Sequence, residues 1–290
     1  MLSSDAVNAE LHASTLRQSQ VRTVLASLAM PIRLLRRVVP TGLMLCCASA
    51  VYAAELDVKL TPSNDALREN VENYIGELGD RNEEELLRYS RIAQEQANKA
   101  LQALGYYHAE IETRVTDGEN PQLALRINPG EPVRLRDIKV QVNGPAAELQ
   151  AFRVPRNTLK PGAVLNHGQY EAVKQRILNQ ASRYGFFDGR FERQRLEINP
   201  DTNAADVELV FNSGPRYLLG DVGFEGDSPF DPDLLARMVP FEPGTPYDSE
   251  LIAELNQAMQ SSGYFEGVRV DANPANANQQ RIPVAVQLTT

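Results

Sequence analysis

Apolar and polar positions along the chain follow two rhythms, and these recur in the same order three times. Leu56-Asp57-Val58-Lys59-Leu60, Ile138-Lys139-Val140-Gln141-Val142 and Val222-Gly223-Phe224 alternate with a period of two, the mark of a half-buried strand. A polar turn follows each (Thr61-Pro62-Ser63, Asn143-Gly144-Pro145, Glu225-Gly226-Asp227) and leads to a short helix. In the third repeat Asp231 is placed to cap that helix, with Pro232 at its first position. A longer helix comes next, with apolar residues three and four apart: Leu86, Tyr89, Ala93, Ala97, Ala100, Leu104; Tyr170, Val173, Ile177, Ala181, Tyr184; and Leu251, Leu255, Met259. These stripes are core-facing. Two more alternating stretches close each repeat: Ile111–Val115 with Leu123–Ile127, Phe191–Ile198 with Val207–Phe211, and Val268–Val270 with Val284–Leu288.

A glycine followed by two aromatics stands after each long helix: Gly105-Tyr106-Tyr107, Gly185-Phe186-Phe187 and Gly263-Tyr264-Phe265, separated by 80 and 78 residues. Glycine there fits a left-handed helix terminus. Val58, Val140 and Val222 of the opening strands are 82 apart each time, as are Pro161-Gly162 and Pro243-Gly244. Landmarks in one order at one spacing indicate tandem repeats. The predicted fold class is therefore α+β, three tandem β-α-α-β-β domains, each a three-stranded sheet packed on two helices. The boundaries read as 54–131, 132–215 and 216–290. Asn128-Pro129-Gly130-Glu131-Pro132 and Asn212-Ser213-Gly214-Pro215 join the domains, and such short, proline-bearing linkers are stiff.

Residues 1–53 read as a leader with a signal peptide. Arg33, Arg36 and Arg37 precede the apolar run Val38–Ala50, and the small residues ending at Ala53 place cleavage there. Met30 is a candidate true start, and the run is short for a membrane span. Both cysteines, Cys46 and Cys47, lie in the leader, where the bulky Leu45 suits lipid attachment poorly; the exported chain would need no disulfides.

With 42% apolar and 23% charged residues the composition is globular. The leader holds five basic and two acidic residues, which leaves 24 basic against 36 acidic in the rest, a net of −12. That excess argues against nucleic acid or anionic lipid as main partner. Catalytic chemistry finds no foothold, since no cysteine remains after the leader and only His108 and His167 are available, without metal-ligand spacing; both read as surface or capping residues. Glu83-Glu84-Glu85 fits a helix start, where the dipole favours carboxylates, and Gly220, Gly223 and Gly226 are turn and strand glycines. No catalytic, metal or cofactor site is expected.

The repeat, with its Gly-aromatic-aromatic and Pro-Gly marks, resembles the polypeptide-transport-associated (POTRA) domain. Three such domains after a signal peptide resemble the arm of the translocation and assembly module family, with Leu104-Gly105-Tyr106-Tyr107, Asn212-Ser213-Gly214 and Val239-Pro240-Phe241 among the matching stretches, over about residues 54–290. The resemblance implies a periplasmic arm that binds unfolded outer-membrane protein clients and an inner-membrane-anchored TamB-like partner, and that is held at the membrane by a C-terminal barrel. Barrel strands are absent up to Thr290, so a truncated product is the expectation. Other implied readings are the arm of a different barrel-assembly or two-partner-secretion transporter, or a passive spacer. The resemblance also puts the final strand of each sheet in its centre. That leaves Val268-Arg269-Val270-Asp271-Ala272 at an edge as the candidate protein-binding strand, with Val268, Val270 and Ala272 on one face and Arg269 and Asp271 on the other.

Overall fold

A computed structural model describes residues 53–289 except 119, 156, 227 and 229. The leader with Met30, Cys46 and Cys47, and Asp227 of the third polar turn, lie outside the described residues. The first domain runs β1 (Glu55–Leu60), α1 (Asp65–Ile75), α2 (Glu83–Ala103), β2 (Glu110–Thr116) and β3 (Gln122–Asn128). The second runs β4 (Arg134–Asn143), α3 (His167–Arg183), β5 (Arg190–Asn199) and β6 (Ala204–Asn212). The third runs β7 (Leu218–Glu225), α4 (Pro232–Ala236), α5 (Ser249–Ser261), β8 (Gly267–Asp271) and β9 (Arg281–Thr289). This is the expected α+β class. No helix among the described residues is long and apolar enough to cross a membrane.

Each sheet has three strands, in the orders β1-β3-β2, β4-β6-β5 and β7-β9-β8. The last strand returns antiparallel to its predecessor and parallel to the opening strand, so it is central every time. Central strands carry the deepest apolar rows: Leu123, Leu125 and Ile127; Ala205, Val207, Leu209 and Phe211; Ile282, Val284, Val286 and Leu288. Period-two side chains alternate faces, so each row meets the helices while intervening residues such as Arg126, Glu208 and Gln287 lie on the other face. The helical stripes close the cores from the other side, with Leu86, Ala93, Ala97 and Ala100 in the first, Tyr170, Val173, Ile177 and Ala181 in the second, and Leu255 and Met259 in the third.

The pair of helices is not uniform. In the first domain α1 is 11 residues long and buries Leu67, Val71 and Ile75. In the third, α4 shrinks to five residues capped by Asp231. The second has two short 3₁₀ turns, Pro145–Glu148 and Gln150–Phe152, where a first helix was expected. Leu149 between them is extended, at φ −83° and ψ 128°. Pro155 follows shortly, and the residue before a proline avoids the α region, so too few residues remain to nucleate a helix.

Candidate functional site

The domains are joined by one device used twice. Gly105 (φ +91°) and Gly185 (φ +77°) end α2 and α3 in the left-handed region. At the end of α2, Gly105 N–H bonds to Gln102 C=O and Tyr106 N–H to Leu101 C=O, which completes a Schellman terminus. The chain then turns so that the first aromatic, Tyr106 or Phe186, packs in its own domain, and the second, Tyr107 or Phe187, packs on the core of the next. Across the linker, Val133 N–H donates to Gly105 C=O at 2.8 Å and Tyr217 N–H to Gly185 C=O at 2.8 Å. Linker glycines Gly130 and Gly214 donate to the side chains of Asn128 and Asn212. Each has φ above +60°, and a Cβ added to either would come within 3.0 Å of His108 O or 3.2 Å of Asp188 Cβ, in the residues just after the aromatic pairs.

Side chains then lock each junction. Tyr107 Oη lies 2.6 Å from Nε2 of His167, the first residue of α3, and His108 Nε2 reaches Pro200 C=O at 3.0 Å. Burial pushes the Tyr107 phenol up to about 12 and lowers His167, an effect Glu171 partly opposes. At the second junction Phe187 meets Tyr217 and Tyr247 edge-on at 5.4 and 5.0 Å. Arg216 donates to the carbonyls of Tyr184 and Tyr247 at 2.9 and 3.1 Å and covers the Tyr184 and Phe186 rings. Arg183 pairs with Asp248 and Glu250 at the start of α5. The sequence reading placed His108 and His167 at the surface or in caps; His167 does open a helix, but both also reach across to the neighbouring domain. No local pattern announces such contacts.

Each of the three sheets has two edge strands, of which β4 and β7 are bonded at their beginnings by loop residues, Ala163 and Gly162 on Leu135 and Thr245 and Gly244 on Leu219. The expected binding strand coincides with β8, which pairs with β9 on one side. Among the described residues, no hydrogen bond outside that pairing reaches the backbone of residues 267–271. Val268 and Val270 pack on the third core while Arg269 and Asp271 are exposed. Ala272 shares the apolar face but lies just past the strand. The third signature leads into this strand: Gly263 has φ +72°, Phe265 packs on the third core, and Tyr264 is 52% exposed, its ring 4.8 Å from that of Phe230 and tilted by 39°. Chemically, the edge offers backbone donors and acceptors flanked by an apolar face.

Residues 57–129 match the family described as POTRA domain TamA domain 1. Residues 138–214 and 217–289 match the POTRA family, described as surface antigen variable number repeat. The outer membrane protein assembly factor BamA of Neisseria meningitidis is 24% identical over 192 residues, 64% of this chain and 24% of that protein, so the chain spans about a quarter of its length. Among solved structures, domains POTRA3-5 of Haemophilus influenzae BamA cover 82% of this chain and 96% of that one, with 18% identity and a TM-score of 0.44. CdiB from Acinetobacter baumannii covers 71% and 38%, with 14% identity and a TM-score of 0.31.

Proposed function

The chain belongs to the POTRA family, and from that premise we propose that it is the polypeptide-binding arm of an outer-membrane protein assembly or secretion system, acting by binding and not by catalysis. The observation that carries this reading is the strand order: with the last strand central in every sheet, both flanking strands are edge strands, and beyond the loop contacts at Leu135 of β4 and Leu219 of β7 they leave backbone to which an extended segment can add as a further strand. Backbone pairing is largely indifferent to side-chain identity, which suits a binder of many unfolded clients. The relative described as an assembly factor supports the same setting. In the finer reading the chain is a translocation and assembly module arm in the periplasm, exported by its leader, with a TamB-like partner; the match of residues 57–129 to the TamA domain favours it.

Within the arm, β8 is the docking edge. Three residues before it stands Tyr264, an exposed ring against Phe230, while Arg269 and Asp271 keep the free edge soluble. Residue-resolved amide exchange on the chain, with and without a peptide copied from an outer-membrane strand, tests this. Alternate β8 amides gain protection on binding. N–H directions alternate along a strand, so of Arg269→Pro and Val270→Pro one breaks the pairing with β9 and the other removes an outward donor. The variant that stays folded should bind about tenfold more weakly, the loss of one hydrogen bond and its neighbours. Unchanged affinity in that variant removes β8 as the docking edge.

A further inference from the structure

We propose that a groove beside β4 in the second domain is a separate binding site for an extended amphipathic polypeptide segment carrying an acidic residue. The proposal rests on reading the chain as a polypeptide binder but uses a different strand and domain from β8. The groove has a volume of about 470 Å³. Ile138, Val140 and Val142 of β4 form one wall, Ala147 and Val154 the other; Phe152 and Leu159, 4% and 8% exposed, form the floor, and Arg153 stands at the rim. It exists because the second domain lacks a first helix. In the first domain α1 covers the sheet beside β1 with Leu67, Val71 and Ile75, whereas here two 3₁₀ turns leave three β-branched side chains of β4 half-exposed.

The free edge of β4 specifies what the groove takes. The beginning of that edge is already occupied, since Leu135 N–H donates to Ala163 C=O at 2.8 Å and Gly162 N–H to Leu135 C=O at 2.6 Å. The register then shifts between Leu135 and Ile138, and from Ile138 to Val142 β4 pairs only with β6. Among the described residues, no hydrogen bond reaches the outer side of that stretch. In a parallel pairing alternate residues turn both N–H and C=O away from the partner, so the open stretch presents donors and acceptors directly beside the groove. A helix satisfies its own backbone and would leave them unpaired. An extended segment pairs with them and drops every second side chain between Val140 and Phe152, with its other side chains in water. Arg153 is in no ion pair among the described residues, so its charge favours a carboxylate on the segment.

The test uses the chain and a ten-residue peptide alternating valine or leucine with threonine or glutamate, beside its scrambled form and a form with lysine in place of glutamate. Alternate amides within residues 138–142 should gain exchange protection with the alternating peptide and not with the scrambled one. Val154→Glu should weaken binding about tenfold by placing a charge on the apolar wall. Arg153→Glu, at an exposed position where folding is not at stake, should reverse the preference between glutamate and lysine peptides. Protection confined to β8, or a charge preference that survives Arg153→Glu, overturns the groove while leaving the proposed function intact. Failure of the peptide to bind at either edge overturns both.

Discussion

A tyrosine–histidine contact spans the first junction. His167 accepts from or donates to Tyr107 across the boundary between two domains, and burial holds its pKa below the ordinary 6.5. The Tyr107 phenol, pushed up to about 12, stays protonated at neutral pH and can donate to Nε2 of the uncharged ring. Protonating His167 removes that acceptor and charges a ring that burial favours uncharged, a cost Glu171 offsets only in part. Because the folded pKa is the lower one, the stabilisation is complete above about 6.5 and is lost as the pH falls below it. Thermal unfolding should therefore shift downward between pH 7 and pH 5, and His167→Gln should flatten that dependence. An unchanged profile in the variant would mean that other groups set it. The sequence showed His167 near a helix start, but its partner lies 60 residues away and is brought to it only by the turn at Gly105.

The elements follow from local rules where a side chain enforces them. Glu83-Glu84-Glu85 was readable as a helix start, and the structure assigns the parts: Asn82 caps Glu85 N–H at 3.0 Å, Glu85 returns the bond to Asn82 N–H at 3.0 Å, and Glu84 pairs with Arg88 one turn on. Asn82→Ala should cost about 1 kcal/mol and speed amide exchange through the first turn of α2 while leaving α5 unaffected. Long helices and strands were legible because their periodicity runs over many residues. The first helix of the second domain was not, because the expectation came from repetition. The local chain, with Gly144 and Pro155 near its ends and Leu149 extended in the middle, decides otherwise, and the β4 groove is the result.

Over the whole described chain, three glycines with one local conformation meet different surroundings. A Cβ on Gly105 would come within 2.5 Å of Leu165 O and one on Gly185 within 2.6 Å of Tyr247 Cβ, whereas a Cβ on Gly263 meets nothing within 4 Å. All three have positive φ, which costs an alanine about 1 kcal/mol. Gly263→Ala should show that cost alone. Gly105→Ala and Gly185→Ala should cost more and also loosen their junctions, read as changed Tyr107 or Phe187 resonances in spectra whose domain cores are otherwise native. Equal effects at all three sites would mean that the junctions yield freely. The amino-acid sequence determined the number of repeats, the strands and long helices, and the glycine that ends each long helix, since these depend on neighbours within a few residues. It marked the aromatic pairs without saying that the two rings part company, one into each domain. That division, the contacts of His167 and Arg216 across the junctions, and the side of β4 left open were decided by the tertiary structure. Each depends on groups far apart in the chain, which meet only once three cores have formed and the linkers have set them side by side.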